Sequence, residues 1–366
     1  LYRIFVLTVS KIRNSSVSGE KIKMNTDTKI ICTIGPASFT EDTLLAMANS
    51  GMNVARLNMS HGNYETHQNV IDTIRKINRE NDLQIQILMD LEGYRIRIGK
   101  LTQSIAVQKD EEILLSATHC ETARKCIDFD YDGDLKLIPT NTDLFMDDGH
   151  LRFKIIDVLP DSLILKTIQG GIIRSRKGIN IPELTLPNIF LNQQDIDDIA
   201  FGVENQVDFI AQSFVNNAQN ISLVKNEVKK RKGNCLLIAK IENAEGVKNI
   251  DSIIAACDGI MVARGDLGIS LPVFKVPIIQ KYIIGRCNRK KKQAIIATQM
   301  LESMLDSLYP TRAEVSDIAN AIYDKADFLM LSAETAVGKH PVQSVQMMNK
   351  IIQFTERSIY IQPELG

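Results

Sequence analysis

The chain lacks the residue patterns that would make it a metal-clustered or disulfide-built protein. Its six cysteines, Cys32, Cys120, Cys126, Cys235, Cys257 and Cys287, form no CxxC pair. Its five histidines, His61, His67, His119, His150 and His340, show no metal-ligand spacing. Zinc ribbons and disulfide frameworks are therefore poor fits, and reduced, buried thiols in a cytoplasmic protein are expected. No apolar run approaches the roughly 20 residues of a membrane span. The opening "LYRIFVLTV" carries Arg3 and no A-x-A cleavage pattern, which argues against a signal peptide. Lys plus Arg number 43 against 44 Asp plus Glu, so no charge excess favours nucleic acid or an anionic membrane. A small anionic substrate stays compatible, because one cationic pocket hardly alters that balance. The first Met is Met24, and residues 1–27 are expected to be a leader outside the folded part.

From Thr28 onward, eight short apolar runs alternate with helical patterns: "KIICTIG", "MNVARLN", "IQILMDL", "VDFIAQSF", "CLLIAKIE", "GIMVAR", "AIIATQ" and "DFLMLSAE". Each is short enough, and rich enough in Ile, Val, Leu or Ala, for a strand buried on both faces. Between them Val70, Ile74 and Ile77 recur at helical spacing, as do Val224 and Val228, and Val315, Ile318 and Ile322. Thr311 and Glu314 form a capping box, and Gly51 and Gly233 sit where helices should stop. In 366 residues this alternation predicts an α/β protein, a (β/α)8 TIM barrel over 28–93 and 187–366. Residues 94–186 break the pattern. "EEILLSA", "LRFKIIDVL" and "SLILKTIQGG" read as strands, with turns at "YDGD", "MDDG" and "IQGG". An all-β, β-barrel-like domain inserted after barrel strand 3 is predicted, placed to act as a lid over the active-site face.

Polar residues gather at the C-terminal ends of the runs, where barrel active sites form. Strand 2 ends in Arg56, Asn58 and Ser60, and strand 3 in Asp90. Gln212 and Ser213 end strand 4; Lys240 and Glu242 end strand 5; Arg264, Gly265 and Asp266 follow strand 6. Thr298 and Gln299 close strand 7, Ser332 and Glu334 strand 8. One such charge is usually an exit into solvent, but seven strands delivering polar groups to one rim describe a site. Lys240 and Glu242 within an apolar run would cost several kcal/mol without partners or a metal. Glu242 and Asp266 suit a hard divalent cation such as Mg2+ or Mn2+. Lys240 and Arg56 suit phosphate or carboxylate. The combination points to phosphoryl transfer or enolate chemistry.

At these residues the sequence resembles the pyruvate kinase family. The matching segments include "KIICTIGPAS", "GMNVARLNMSHG", "IAKIENAEGV", "DGIMVARGDLGI", "ATQMLESM", "PTRAEVSDIANA" and "LSAETA", and the likeness runs from about Thr28 to Glu356. The resemblance implies transfer of phosphate from phosphoenolpyruvate to ADP, with ATP and pyruvate as products of glycolysis. It implies that Glu242 and Asp266 hold the metal and that Lys240 neutralises the phosphoryl group in flight. Arg56 would hold the phosphate, while Gly265 and Thr298 would bind the carboxylate end. Thr298 and Ser332 would lie near the water that protonates the enolate. Arg97, Lys177 and Asn58 would face the nucleotide, as would Asp147 and Asp148 in "MDDG". Asn58, Ser60 and Asp90 match a monovalent-cation site, but Leu91 stands where the family's Thr ligand does. Arg95 stands where a Glu accompanies potassium dependence. Arg95 is therefore expected to replace K+ by supplying a cation that Asp90 and the phosphate would otherwise lack, so that K+ is not required.

Other departures are "DLEGYRIRI" at 90–98, Asn216 in place of a usual Arg, and Ala333 in place of a Gly. The family's C-terminal domain, which commonly holds the effector site, has no counterpart, so activation by fructose 1,6-bisphosphate is not expected. Homo-oligomerisation is left open, and no nucleic-acid or membrane partner is expected. The alternatives are another metal-dependent barrel acting on phosphoenolpyruvate or pyruvate, and an inactive truncated barrel. Met300 and Met304 read as core packing, and the basic runs 229–232 and 289–292 as solvated helix ends.

Overall fold

The computed structural model describes residues 26–118, 125–131, 133–147, 149–182, 184 and 191–360. The leader expected over residues 1–27 falls almost wholly outside them. At Asp27 and Thr28 the chain is already tied down, both amides donating to the Glu356 carboxylate at 3.2 and 2.8 Å.

Three strands come first: β1 (Lys29–Thr33), β2 (Met52–Asn58) and β3 (Gln86–Asp90). Eight short strands follow: β4 (Ile105–Val107), β5 (Glu112–Ser116), β6 (Cys126–Asp128), β7 (Asp143–Met146), β8 (Leu151–Val158), β9 (Ser162–Gln169), β10 (Gly171–Ile173) and β11 (Ile179–Asn180). The chain then completes the first sheet with β12 (Phe209–Gln212), β13 (Leu236–Ile241), β14 (Gly259–Ala263), β15 (Gln293–Ala297) and β16 (Phe328–Leu331). β1, β2, β3 and β12 to β16 pair in parallel and close into a barrel in the order β1-β16-β15-β14-β13-β12-β3-β2. All eight predicted runs are these strands.

Strand periodicity decides what faces where. Ile31, Val54, Leu88, Ile238, Met261 and Ile295 pack together inside the barrel. Their chain neighbours Ile30, Ala55, Met89, Ala239, Ile260 and Ile296 belong to a second cluster with the outer helices. A side-chain period of 2 sorts one apolar run into two cores. The outer layer includes helix Tyr64–Asn81, which buries Val70, Ile71, Ile74 and Ile77. Helix Arg312–Tyr323 starts at the predicted capping box. Met300 and Met304 are fully buried, as core packing requires.

Gly51 caps its helix at φ 121°. At Gly233 the helix stops as expected, the Gly233 amide donating to the Val228 carbonyl at 3.0 Å. Helix Ala218–Lys230 ends three residues earlier, and Lys232, not the glycine, takes the left-handed turn at φ 59°.

The strands between β3 and β12 form a six-stranded sheet, β11-β7-β8-β9-β5-β6, and a separate β4–β10 pair. They have their own core around Phe153, Leu163 and Leu165. One expectation fails here: Cys126, half-buried at the start of β6, is disulfide-bonded. Cys32, Cys235, Cys257 and Cys287 are free thiols, and all four lie in the barrel part of the chain. Burial raises their pKa, Cys257 to about 11 and Cys287 to about 12, which disfavours the thiolate.

Candidate functional site

The inward rows of the barrel strands continue upward into the site. Arg56 is two residues beyond Val54, Asp90 two beyond Leu88, and Lys240 two beyond Ile238. Each strand thus changes from apolar to charged at the barrel's C-terminal end while still pointing inward. All three residues are buried, so their charges must be compensated locally.

Asp90 is the centre of that compensation. Its Oδ2 accepts from Arg56 Nε at 2.7 Å, with Arg56 Nη2 also at 2.7 Å. Its Oδ1 lies 3.0 Å from Lys240 Nζ. Burial alone would raise the Asp90 pKa, but Lys240 and Arg56 outweigh it and hold the carboxyl below its ordinary value. Lys240 Nζ also donates to Ser213 Oγ at 2.7 Å and lies 3.2 Å from Glu242 Oε1. Those three partners account for all three ammonium hydrogens. Burial would lower the Lys240 pKa; Asp90 and Glu242 reverse that and raise it, so the ammonium stays charged. Arg56 Nη1 donates to Thr33 Oγ1 at 2.9 Å.

Glu242 accepts from the Phe214 amide at 2.7 Å. Its pKa is raised, first by burial and then by the like charge of Asp266, against the pull of Lys240. Each carboxylate has one cation beside it, Lys240 at 3.2 Å from Glu242 and Arg95 at 3.5 Å from Asp266. Among the described residues no group of three or more His, Cys, Asp or Glu could hold a metal. Glu242 and Asp266 nevertheless fit Mg2+ or Mn2+, since such ions often take one or two carboxylates and complete their shell with water and substrate oxygens.

Thr298 carries the strain at the rim. A β-branched residue at φ 69°, followed by Gln299 at φ 53°, is costly and persists only when its surroundings enforce it. Arg264 Nη2 does so, donating to the Thr298 carbonyl at 2.7 Å and the Gln299 carbonyl at 3.0 Å. Thr298 Oγ1 in turn accepts from the Gly265 amide at 2.8 Å. Ser332 is aligned through its amide, which donates to Glu334 at 2.7 Å, while its buried hydroxyl has no hydrogen-bond partner.

The other predicted residues lie at two neighbouring places. Asn58 Nδ2 lies 3.2 Å from His61 Nδ1, and its Oδ1 accepts from the Ser60 amide at 3.2 Å. Arg97 donates through Nε to Glu92 at 2.6 Å, and Lys177 lies 2.7 Å from Asp147 Oδ1. Asp148 is outside the described residues. Leu91 is buried and offers no side-chain oxygen. Arg95 lies 3.5 Å from Asp266 Oδ1 and 5.9 Å over the Phe214 ring. The premise that Asp90 lacks a cation is wrong, because Arg56 and Lys240 both hold it, and Glu92 pairs with Arg97 rather than Arg95.

Three contributors escaped the sequence: Thr33, Glu92 and Phe214. Thr33 was findable, since it ends β1 as Arg56 extends the inward row of β2. Phe214 acts through its amide, at φ 53°, and no side-chain pattern announces that.

A family model described as pyruvate kinase, barrel domain, matches residues 25–345. The pyruvate kinase of Thermococcus litoralis is 41% identical over 330 residues, 90% of this chain and 70% of that protein. That of Sporosarcina psychrophila is 42% identical over 336 residues, 91% of this chain and 57% of the other. Plastidial pyruvate kinase 3 of Arabidopsis thaliana is 42% identical over 335 residues, 91% and 58% of the two chains. The chain thus spans less than two thirds of the length of the latter two relatives.

Proposed function

The chain belongs to the pyruvate kinase family, and from that premise we propose that its barrel rim transfers the phosphoryl group of phosphoenolpyruvate to ADP, giving pyruvate and ATP in glycolysis. The observation that carries this is the buried Arg56–Asp90–Lys240–Glu242 chain, two cations and two carboxylates alternating at the barrel mouth. Such an array is preorganised for an anion whose charge moves during reaction.

Arg56 and Lys240 bind the phosphate by exchanging part of their hold on Asp90, which keeps both cations aimed inward until substrate arrives. Lys240 faces the bridging oxygen side and offsets negative charge as the phosphorus–oxygen bond breaks. Glu242 and Asp266 would hold the divalent ion, which when bound supplies Lewis-acid stabilisation of that charge. The Gly265 amide and Thr298 take the substrate carboxylate. The enolate left behind gains its proton from water aligned by Thr298 and Ser332, whose hydroxyl is free to donate. Arg97, Lys177, Asn58, Asp147 and Asp148 bind ADP, with residues 94–186 closing over it to keep water from the phosphoryl group. A cytoplasmic setting belongs to the same proposal; four free thiols favour it and the disulfide at Cys126 counts against it, and among the described residues no helix is long and apolar enough to cross a membrane.

Potassium independence is supported by the same geometry. Leu91 gives no ligand oxygen, Asp90 already has two cations, and Arg95 adds a fixed charge at the rim. The purified chain is expected to form pyruvate at near-full rate with tetramethylammonium as the sole monovalent cation. A several-fold stimulation by added K+ would remove Arg95 and Leu91 from this role; no pyruvate with or without K+ would remove the function itself.

A further inference from the structure

Arg95 connects parts of the molecule that the phosphate-binding chain does not touch. Its guanidinium lies 3.5 Å from Asp266 Oδ1, longer than the roughly 2.7–2.9 Å of a tight charge-assisted bond. It also lies over the ring of Phe214, the residue whose amide holds Glu242. On its other side is Gly178, beside Lys177 and leading into β11. A Cβ built on Gly178 would come 2.3 Å from Arg95 Nε, so the inserted sheet passes close over the guanidinium and a side chain there would push it aside. Arg95, Phe214 and Asp266 share one cavity of about 390 Å³ with Ile96, Ile181 and Asn216. That space gives the guanidinium somewhere to go.

We propose that Arg95 is a built-in stand-in for the divalent ion: it balances the Asp266–Glu242 pair when no metal is bound, and loading metal displaces it from Asp266 into this cavity. Because Gly178 rests on the same guanidinium, metal loading also alters how the inserted sheet sits on the barrel. Arg95 is thus a positioning residue that sets metal affinity and couples it to the lid. The proposal rests on the metal-holding roles proposed for Glu242 and Asp266.

The geometry fits an exchange. Each side chain of the pair is about a quarter exposed, at 24%, so neither charge is sealed in. A monovalent guanidinium and a divalent ion cannot both sit against Asp266 without repulsion, which even in a water-like dielectric corresponds to about tenfold in affinity at such separations.

The test is Mn2+ binding to the full chain without substrate, read from the paramagnetic resonance of free Mn2+. Arg95→Met should bind Mn2+ about tenfold tighter than wild type, and Arg95→Lys should stay within about threefold of it. Gly178→Ala changes no charge but pushes the guanidinium off its seat, and should also tighten binding several-fold. If Asp266→Asn abolishes the site yet Arg95→Met binds no tighter than wild type, the stand-in role is wrong and the metal assignment survives. If Arg95→Met tightens binding and Gly178→Ala does not, the coupling to the inserted sheet is wrong. If Asp266→Asn and Glu242→Gln both bind like wild type, the metal lies elsewhere and both proposals fall.

Discussion

At the residue scale the fold keeps two kinds of buried carboxylate, and they respond to pH in opposite ways. Asp90 sits between two cations and is held ionised. Asp195 is just as buried, but the charged groups that act on it, Asp198 and Glu92, are anionic. Its Oδ1 accepts from the Gly93 amide at 3.1 Å, at the point where the chain leaves the barrel for the inserted sheet. Burial first, then the charges of Asp198 and Glu92, push the Asp195 carboxyl up to about 6. Asp198 is buried too, accepting from Tyr64 and Gln194. Between the unfolded pKa near 3.9 and about 6 the folded chain holds the Asp195 proton more tightly than the unfolded chain does. This group's contribution therefore favours the fold at low pH and is lost as pH rises through about 6, leaving a penalty of roughly 2–3 kcal/mol at pH 7. Asn at this position still accepts from Gly93 and cannot ionise. Asp195→Asn should be more stable than wild type at pH 7, with the advantage shrinking towards pH 4. Urea midpoints across that range check it; an advantage that does not change with pH would contradict it. None of this was legible in the sequence, where Asp195 is one acid in "NQQDIDD". Burial and the Gly93 contact, separated by 102 residues, make it distinctive. Lys240 and Glu242 were legible, because charges inside an apolar run have few structural excuses.

At the element scale, legibility followed the number of buried faces. The eight barrel strands are covered on both sides, so they appear as apolar runs, and each was found. In the inserted sheets β5, β8 and β9 were visible, being five to eight residues long. β4, β6, β7, β10 and β11 were not, since two to four residues carry no readable period and are strands only through their partners. Helix boundaries were readable where a side chain makes the cap or a glycine marks the stop; the left-handed turn at Lys232 was not. The capping box at Thr311 does more than start a helix. Glu314 accepts from the Thr311 amide at 2.6 Å and also from the Ser303 amide at 2.7 Å, tying the helix to the loop that follows Thr298. Thr311→Ala removes one cap acceptor and leaves this second tie. It should cost about 1 kcal/mol, seen as a lower urea midpoint with unchanged slope. A loss below a few tenths would mean that Glu314 alone secures this end.

At the scale of the whole molecule, one closed barrel sets four charges at its mouth by extending the inward rows of three strands, and one insertion lays Arg95 and Lys177 beside them. The division of labour is physical. The barrel's rows hold Arg56, Asp90, Lys240 and Glu242 in one buried chain, while Arg95 of the insertion reaches Asp266 through a longer, more exposed contact of 3.5 Å. In the proposed reaction the buried chain at the barrel mouth passes a phosphoryl group from phosphoenolpyruvate to ADP. Phosphorus-31 resonance on the purified chain with phosphoenolpyruvate, ADP and Mg2+ follows that group directly. The phosphoenolpyruvate signal should fall as the γ-phosphate signal of ATP rises by the same amount, with inorganic phosphate staying flat. In Lys240→Met the rate should drop by at least about 10²-fold. That variant should also lose stability, since Asp90 and Glu242 each lose a buried partner. A phosphoenolpyruvate signal that never moves, or that passes to inorganic phosphate rather than to ATP, would contradict it, as would a folded Lys240→Met variant that transfers at the wild-type rate.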